Sequence, residues 1–311
     1  MRINHGHTAM LTVNILFGMN YAFSKEILTV NITAVGLNEL RFLAACVVFW
    51  LISLSKKERV GKKDMLILFI GSLFGLLGNQ IFFIQGLSRT SPLDSSIIAT
   101  SVPIITMVLS AIFLKEPASW VKIFGVVVGA SGAVFLVYSS QADASGQSSL
   151  TGNLLCLASC LSYATFLIVT KRVSQRYSPI TIMKWMFLFA VLLYTPFSLK
   201  DVITTNYAGF TNQAVFSLLF AMIGATVFPY LLLPVGQSRL RPTTLAMYNY
   251  IQPIVAAVLA AIMGQDTYTL TKAFAALLVF LGVYIVTRSK SRADIDAEKA
   301  GLPFPVKERE D

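Results

Sequence analysis

Charge is what this chain has least of. Asp, Glu, Lys and Arg make up 13% of its 311 residues, against about 25% in an ordinary soluble domain. Histidine is nearly missing: His5 and His7 are the only two, and both precede the first apolar run. No HExxH, no DxxD and no phosphate-cradling glycine loop occurs, so metal hydrolysis and nucleotide chemistry lack their usual residues. A membrane-embedded transferase would need such a cluster. No catalytic residue, no metal and no cofactor is therefore expected. Cysteine is limited to Cys46, Cys156 and Cys160, all inside apolar runs. Cys156 and Cys160 share a helix face, but parallel Cβ vectors about 6 Å apart do not form a disulfide. They read as small packing residues.

What fills the chain instead is apolar surface, 55% of the residues with a mean hydropathy of +0.69. It is gathered into runs near 20 residues, the length that crosses a hydrocarbon core as a helix. The runs fall at about 8–25, 36–54, 65–86, 95–114, 120–139, 150–170, 180–199, 214–235, 243–263 and 269–288. A barrel would show alternating segments of about ten residues, and there are none. The expectation is an all-α integral membrane protein of ten transmembrane helices. The first run is too long for a signal peptide and lacks a small-x-small cleavage site near Tyr21–Lys25. Residues 291–311 form a charged tail, expected to be disordered.

The chain repeats itself. Residues 86–140 align without a gap onto 236–290, with fourteen of 55 positions identical. Leu, Val and Ala would match by chance in such segments. Gly86/Gly236, Arg89/Arg239, Pro92/Pro242, Pro103/Pro253, Lys122/Lys272 and Gly132/Gly282 are harder to dismiss. Two units follow, 1–140 and 141–290, each of five helices. Five is odd, so the second unit must enter the membrane from the opposite side. The net charge of +10 would suggest nucleic acid in a soluble protein, but its distribution points to topology. With a cytoplasmic N-terminus, Lys and Arg divide 20 inside to 5 outside, which obeys the positive-inside rule and puts both termini in the cytoplasm. Arg89 then lies outside and Arg239 inside, Lys122 inside and Lys272 outside. Such inverted halves are the usual scaffold for alternating access.

Glycines at i, i+4, i+7 (Gly71, Gly75, Gly78 and Gly125, Gly129, Gly132) mark close helix contacts, within a half or in a dimer. Pro103 and Pro253, near the middle of the fourth and ninth helices, are expected to form matched gating kinks. Pro229 and Pro234 should break the eighth. Polar residues at membrane depth are costly and usually face a cavity or a partner. The substrate-binding candidates are Asn20, Tyr21, Asn79, Gln80, Thr100, Ser101, Tyr163, Tyr248, Asn249 and Gln252. The amides Asn79, Gln80, Asn249 and Gln252 stand out, because Ser and Thr can satisfy themselves on their own helix. No charge lies near the middle of a run, Glu39 and Arg41 near the outer end of the second run coming closest, so the cavity should be polar but nearly neutral. Glu39 is the one candidate for coupling, with pairing to Lys25 or another basic residue at the outer rim as its alternative.

FGMNYAFSK at 17–25, NELRFLAA at 38–45, and the repeated pattern from Pro103 to Glu116 and from Pro253 to Asp266 resemble the EamA family of the drug/metabolite transporter superfamily. The resemblance covers about 8–288. It implies a ten-helix carrier of the bacterial inner membrane, often an exporter of amino acids or related metabolites. Helices one, three, four, six, eight and nine would surround the cavity, with five and ten at the periphery. The expected partners are a small-molecule metabolite and membrane lipids, with no nucleic acid, in a monomer or weak homodimer. A lipid flippase or passive pore is the alternative.

Overall fold

Among the described residues (5–30, 32–54, 58–113, 120–139, 149–240, 242–265 and 269–287 of a computed structural model) the chain is helix and short connection, with no strand. The tail 291–311, Glu116 and Asp266 lie outside the described residues, as does the Lys122 side chain. The helical stretches are α1 (His5–Leu28), α2 (Ala34–Ser53), α3 (Lys62–Leu87), α4 (Pro92–Phe113) and α5 (Trp120–Ser139). After these come α6 (Leu150–Val169), α7 (Pro179–Thr204), α8 (Asn212–Arg239), α9 (242–262) and α10 (Leu270–Thr287).

Six of these, α2, α3, α4, α6, α7 and α8, are long and apolar enough to cross a membrane. Shorter apolar helices lie within α5, α9 and α10. At 24 residues α1 has the length, but Asn14, Asn20, Tyr21 and Ser24 make it more polar, and all four are buried. The exterior carries Leu51, Phe113, Trp120, Phe197, Ile262 and Leu270, a surface fit for lipid rather than water. This is a multi-pass membrane protein.

Local sequence sets the helix starts. Thr33, Ser91, Ser149, Ser178 and Thr211 each accept a hydrogen bond from the backbone N–H three residues on, satisfying a donor that the first turn leaves orphaned. Pro92 and Pro179 follow two of these caps, where a missing N–H costs nothing.

The packing exchanges partners between the N- and C-terminal halves. The helix α1 lies on α8 and α9, while α6 lies on α3 and α4; α2 pairs with α7 and α5 with α10. In the α2–α7 contact Phe42 meets Tyr194 and Phe49 meets Phe187, both with ring centroids 5.6 Å apart. Lys25, near the end of α1, donates to the Leu87 and Thr90 carbonyls at 3.0 and 2.7 Å. Lys171, just past α6, donates to the Gln237 and Leu240 carbonyls, each 150 positions further on.

Both glycine stripes reach across to the other half, and Gly129 also packs on Ile104 of its own half. Gly71, Gly75 and Gly78 meet Thr170, Phe166 and Ser162, and a Cβ on Gly282 would collide with the Gly129 backbone. A Cβ on Gly132 would come 2.8 Å from Leu278 and 2.9 Å from the Ala275 oxygen. Small residues let backbones approach where lipid supplies little drive for association.

Four helices are irregular, and in matched places. A wide π-type stretch occupies Leu73–Gly78 in α3 and Phe220–Val227 in α8. The course of α4 is broken at Thr100 and Ser101, whose N–H groups reach back to Ile97 and Ile98, and that of α9 is tightened at Tyr248–Tyr250. Pro103 and Pro253 follow closely on these irregular turns. They lie in the first turn of the segments Val102–Phe113 and Ile251–Ile262, where proline is well tolerated. Pro229 and Pro234 do not break α8: helix continues through both after the π stretch.

Candidate functional site

A cavity of about 60 Å³ lies between α1, α3, α4, α6 and α9, with room for roughly four waters. Its polar lining includes Asn20, Tyr21, Asn79, Gln80, Ser159, Asn249 and Gln252, and its apolar lining Phe17, Phe83, Ala99, Val102 and Tyr163. Seven of the ten sequence candidates are thus brought together, among them all four amides. They arrive from both halves of the chain.

The hydrogen bonds fix which way these amides point. Tyr21 OH donates to Gln252 Oε1 at 2.9 Å, Gln252 Nε2 donates to Asn14 Oδ1 at 2.7 Å, and Asn14 Nδ2 donates to the Met10 carbonyl at 2.8 Å. A carbonyl can only accept, so the direction of the whole chain follows from its last link. It ties α1 to α9 through buried groups. On the other wall Asn79 Nδ2 donates to Ser159 Oγ at 2.9 Å. Gln80 Nε2 donates to Tyr230 OH at 2.6 Å and to Asn79 Oδ1 at 3.3 Å. Tyr230 OH in turn donates to the Gly75 carbonyl at 3.2 Å, inside the π stretch of α3. A widened turn leaves carbonyls available to such donors, which is why π stretches often mark functional places. Two acceptors of the lining, Gln80 Oε1 and Asn249 Oδ1, are buried with no hydrogen-bond partner. An unmet buried acceptor costs about 1–3 kcal/mol, so each favours a donor from water or a solute.

Three candidates lie elsewhere. Thr100 donates to the Ile97 carbonyl of its own helix, the self-satisfaction open to Ser and Thr. Ser101 is buried at the break in α4 and does not line the cavity. Tyr248 meets His7 of α1 through its hydroxyl, so His7 belongs to the first helix rather than preceding it.

Two expectations about charge need correction. Glu39 does not pair with Lys25: it is fully buried and accepts from Thr195 Oγ1 at 2.5 Å and Ser198 Oγ at 2.9 Å, both on α7. The interior is not free of charge either. Arg41 is 1% exposed, with Nε donating to Thr226 Oγ1 at 2.8 Å. The run containing it was expected to begin at about residue 36, whereas α2 begins at Ala34, which puts Arg41 about two turns inside. Sequence reasoning also missed Cys156, Cys160 and Ser95 in the lining. Cys156 Sγ sits 3.1 Å from Ser95 Oγ, and small residues at a cavity carry no signal that separates them from small residues in a core.

Comparison with known proteins points one way. The model of the EamA-like transporter family matches residues 4–138 and again 150–288. An uncharacterized transporter of Archaeoglobus fulgidus is 27% identical over 260 residues, covering 83% of this chain and 90% of its own. An uncharacterized transporter of Bacillus subtilis, YetK, is 22% identical over 259 residues, covering 82% and 78%. The Arabidopsis thaliana protein WALLS ARE THIN 1 is 24% identical over 337 aligned positions, covering 95% of this chain and 86% of that one. A solved crystal structure overlays with a TM-score of 0.63 at 18% identity, over 90% of this chain and 96% of the other.

Proposed function

The chain belongs to the EamA-like transporter family, and on that premise we propose that it is a secondary transporter working by alternating access. It moves a small polar or amphiphilic organic metabolite, in the direction of export, with amino acids or related metabolites as cargo. Ten helices cross the bacterial inner membrane as two inverted five-helix repeats, 1–140 and 141–290, with both termini and the tail in the cytoplasm. The protein works as a monomer or weak homodimer among lipids.

Several observations support the inverted repeat. The family model matches twice. Helix partners exchange between the halves, and the carbonyls that Lys25 and Lys171 cap lie 150 positions apart. Irregular turns recur in α3 and α8 and in α4 and α9. Discontinuous helices next to a midplane cavity are a recurring feature of transporters built from repeats.

The observation that carries the transport reading is the hydrogen-bonded path Tyr21–Gln252–Asn14, which closes one wall of the cavity by joining helices from opposite halves. Substrate contacts fall to Asn20, Tyr21, Asn79, Gln80, Tyr163, Asn249 and Gln252. Pro103 and Pro253 fix the breaks that let α4 and α9 swing.

Counterflow of radiolabelled amino acids in proteoliposomes tests this, with lipid scrambling measured in parallel. Saturable flux that drops at least tenfold in Gln252→Ala, with scrambling unchanged from empty liposomes, is the expected result. Scrambling without solute flux would instead select the flippase reading.

A further inference from the structure

We propose that Arg41 is the anchor for a carboxylate of the transported solute. This rests on the transporter reading above and extends it to the charge of the cargo.

The guanidinium is held far from water, yet only one of its three nitrogens is used. Nε donates to Thr226, while the buried Nη1 and Nη2 have no hydrogen-bond partner. Among the described residues no carboxylate pairs with it: Glu39, two positions away on α2, turns toward Thr195 and Ser198 of α7. Residues two apart on a helix do not face each other. A guanidinium stays charged in proteins, and a buried charge without a counter-ion is strongly unfavourable. A site that keeps such a charge has a use for a visiting anion. The two free nitrogens form a planar fork that matches two carboxylate oxygens.

Arg41 does not stand apart from the cavity. Thr226 and Tyr230 are one turn apart on α8, and Tyr230 OH holds Gln80, whose side chain lines the cavity. The Gln80–Tyr230 pair is therefore the partition between the guanidinium and the solute. The partition and the guanidinium's partner each rest on a π stretch: Tyr230 donates to Gly75 in one, and Thr226 belongs to the other and donates to the Ala221 carbonyl within it. A one-residue shift of either stretch toward regular helix rotates its side chains by about 100°, which moves the partition. Beyond it, the orphaned Gln80 Oε1 and Asn249 Oδ1 call for a donor. A solute with a carboxylate and an adjacent N–H or O–H group meets both needs. This revises the nearly neutral cavity expected from the sequence.

The test uses purified full-length protein in detergent and measures thermal stabilisation by the twenty standard amino acids and by the corresponding amino-acid amides, which keep the ammonium and lose the carboxylate. At least one acid should stabilise wild type while its amide binds about 10- to 100-fold more weakly, the worth of a hydrogen bond to a charged group. Arg41→Gln should erase the difference between acid and amide, and Arg41→Lys should restore part of it. The acid–amide comparison in wild type stands even where a variant does not fold. Equal binding of acid and amide, binding of amides alone, no binding by any acid, or an unchanged preference in Arg41→Gln would overturn the proposal. Saturable counterflow of an uncharged solute that Gln252→Ala abolishes would leave the transporter reading intact in each of those cases.

Discussion

The place where α1 meets α3 and the place where α6 meets α8 are built alike. In each a lysine at the end of the first helix tucks its ammonium onto two carbonyls at the end of the second, three residues apart. Helix C-termini leave carbonyls unmet and carry partial negative charge, so a cation there is stabilised on both counts. The interior of the halves differs. Counted from the equivalent caps Thr33 and Ser178, Glu39 corresponds to Lys184, which lies over Trp50, and Arg41 to the buried Met186. Joints and close contacts are duplicated, whereas the buried charges are not: a buried cation, Lys184, stands where the first half has the acid Glu39, and an apolar Met186 where it has Arg41. The lesson is a division of labour: backbone geometry is constrained equally in both halves by packing, while side chains around the cavity have specialised for chemistry that only one arrangement can supply.

The largest effect expected concerns orientation. Trp120 and Leu270 stand 150 positions apart at the starts of α5 and α10, and both are highly exposed. They serve better than Lys122 and Lys272, since Lys272 is buried against Asp94 at 3.2 Å. With the native cysteines replaced by Ala, Trp120→Cys should react with an impermeant maleimide only from the cytoplasmic face, and Leu270→Cys only from outside. Labelling of both from one face would end the inverted comparison.

Next in size is the α5–α10 contact. Gly282→Ala and Gly132→Ala should each destabilise by about 1–3 kcal/mol through overpacking, seen as lower melting temperatures in detergent. Gly209→Ala, with nothing within 4 Å of its new methyl, should be neutral. Equal losses at all three would mean that the glycines serve the backbone rather than the contact.

A smaller change should follow removal of a lysine cap. Lys25→Met and Lys171→Met should cost similar amounts, about 1–2 kcal/mol each, if the joints are equivalent. A loss confined to one of them would show that the likeness is geometric and not energetic.

The smallest change in stability is expected at the prolines. Because Pro103 and Pro253 sit in first turns, replacement by Ala should change stability by under about 1 kcal/mol while slowing counterflow. Unchanged flux would reduce them to helix starters.

Much of this was legible in the residues. Apolar runs of membrane length and matched Gly, Arg, Pro and Lys are rare by chance, so the helices and their repetition stood out. The four amides could be singled out because an amide in hydrocarbon is too costly to leave unexplained. Other features had no such signature. Leu73–Gly78 widens into a π stretch with a sequence that reads as ordinary helix. Phe17, Ala99 and Cys160 line a cavity with residue types that would suit any core. Arg41 looked like a rim residue, since a helix end read two residues late moves a charge by half a turn. Ser and Thr misled in the other direction, Thr100 being satisfied by Ile97.

The central claim is that one cavity between the halves opens by turns to each side of the membrane. Ala99→Cys, in a background with Cys46, Cys156 and Cys160 changed to Ala, places a single thiol on the cavity wall. A small impermeant thiosulfonate is then added to right-side-out and to inside-out vesicles. The account predicts modification from both faces, faster than for Ala45→Cys, which is buried away from the cavity. Modification from one face only, or at the rate of Ala45→Cys from both, would contradict it.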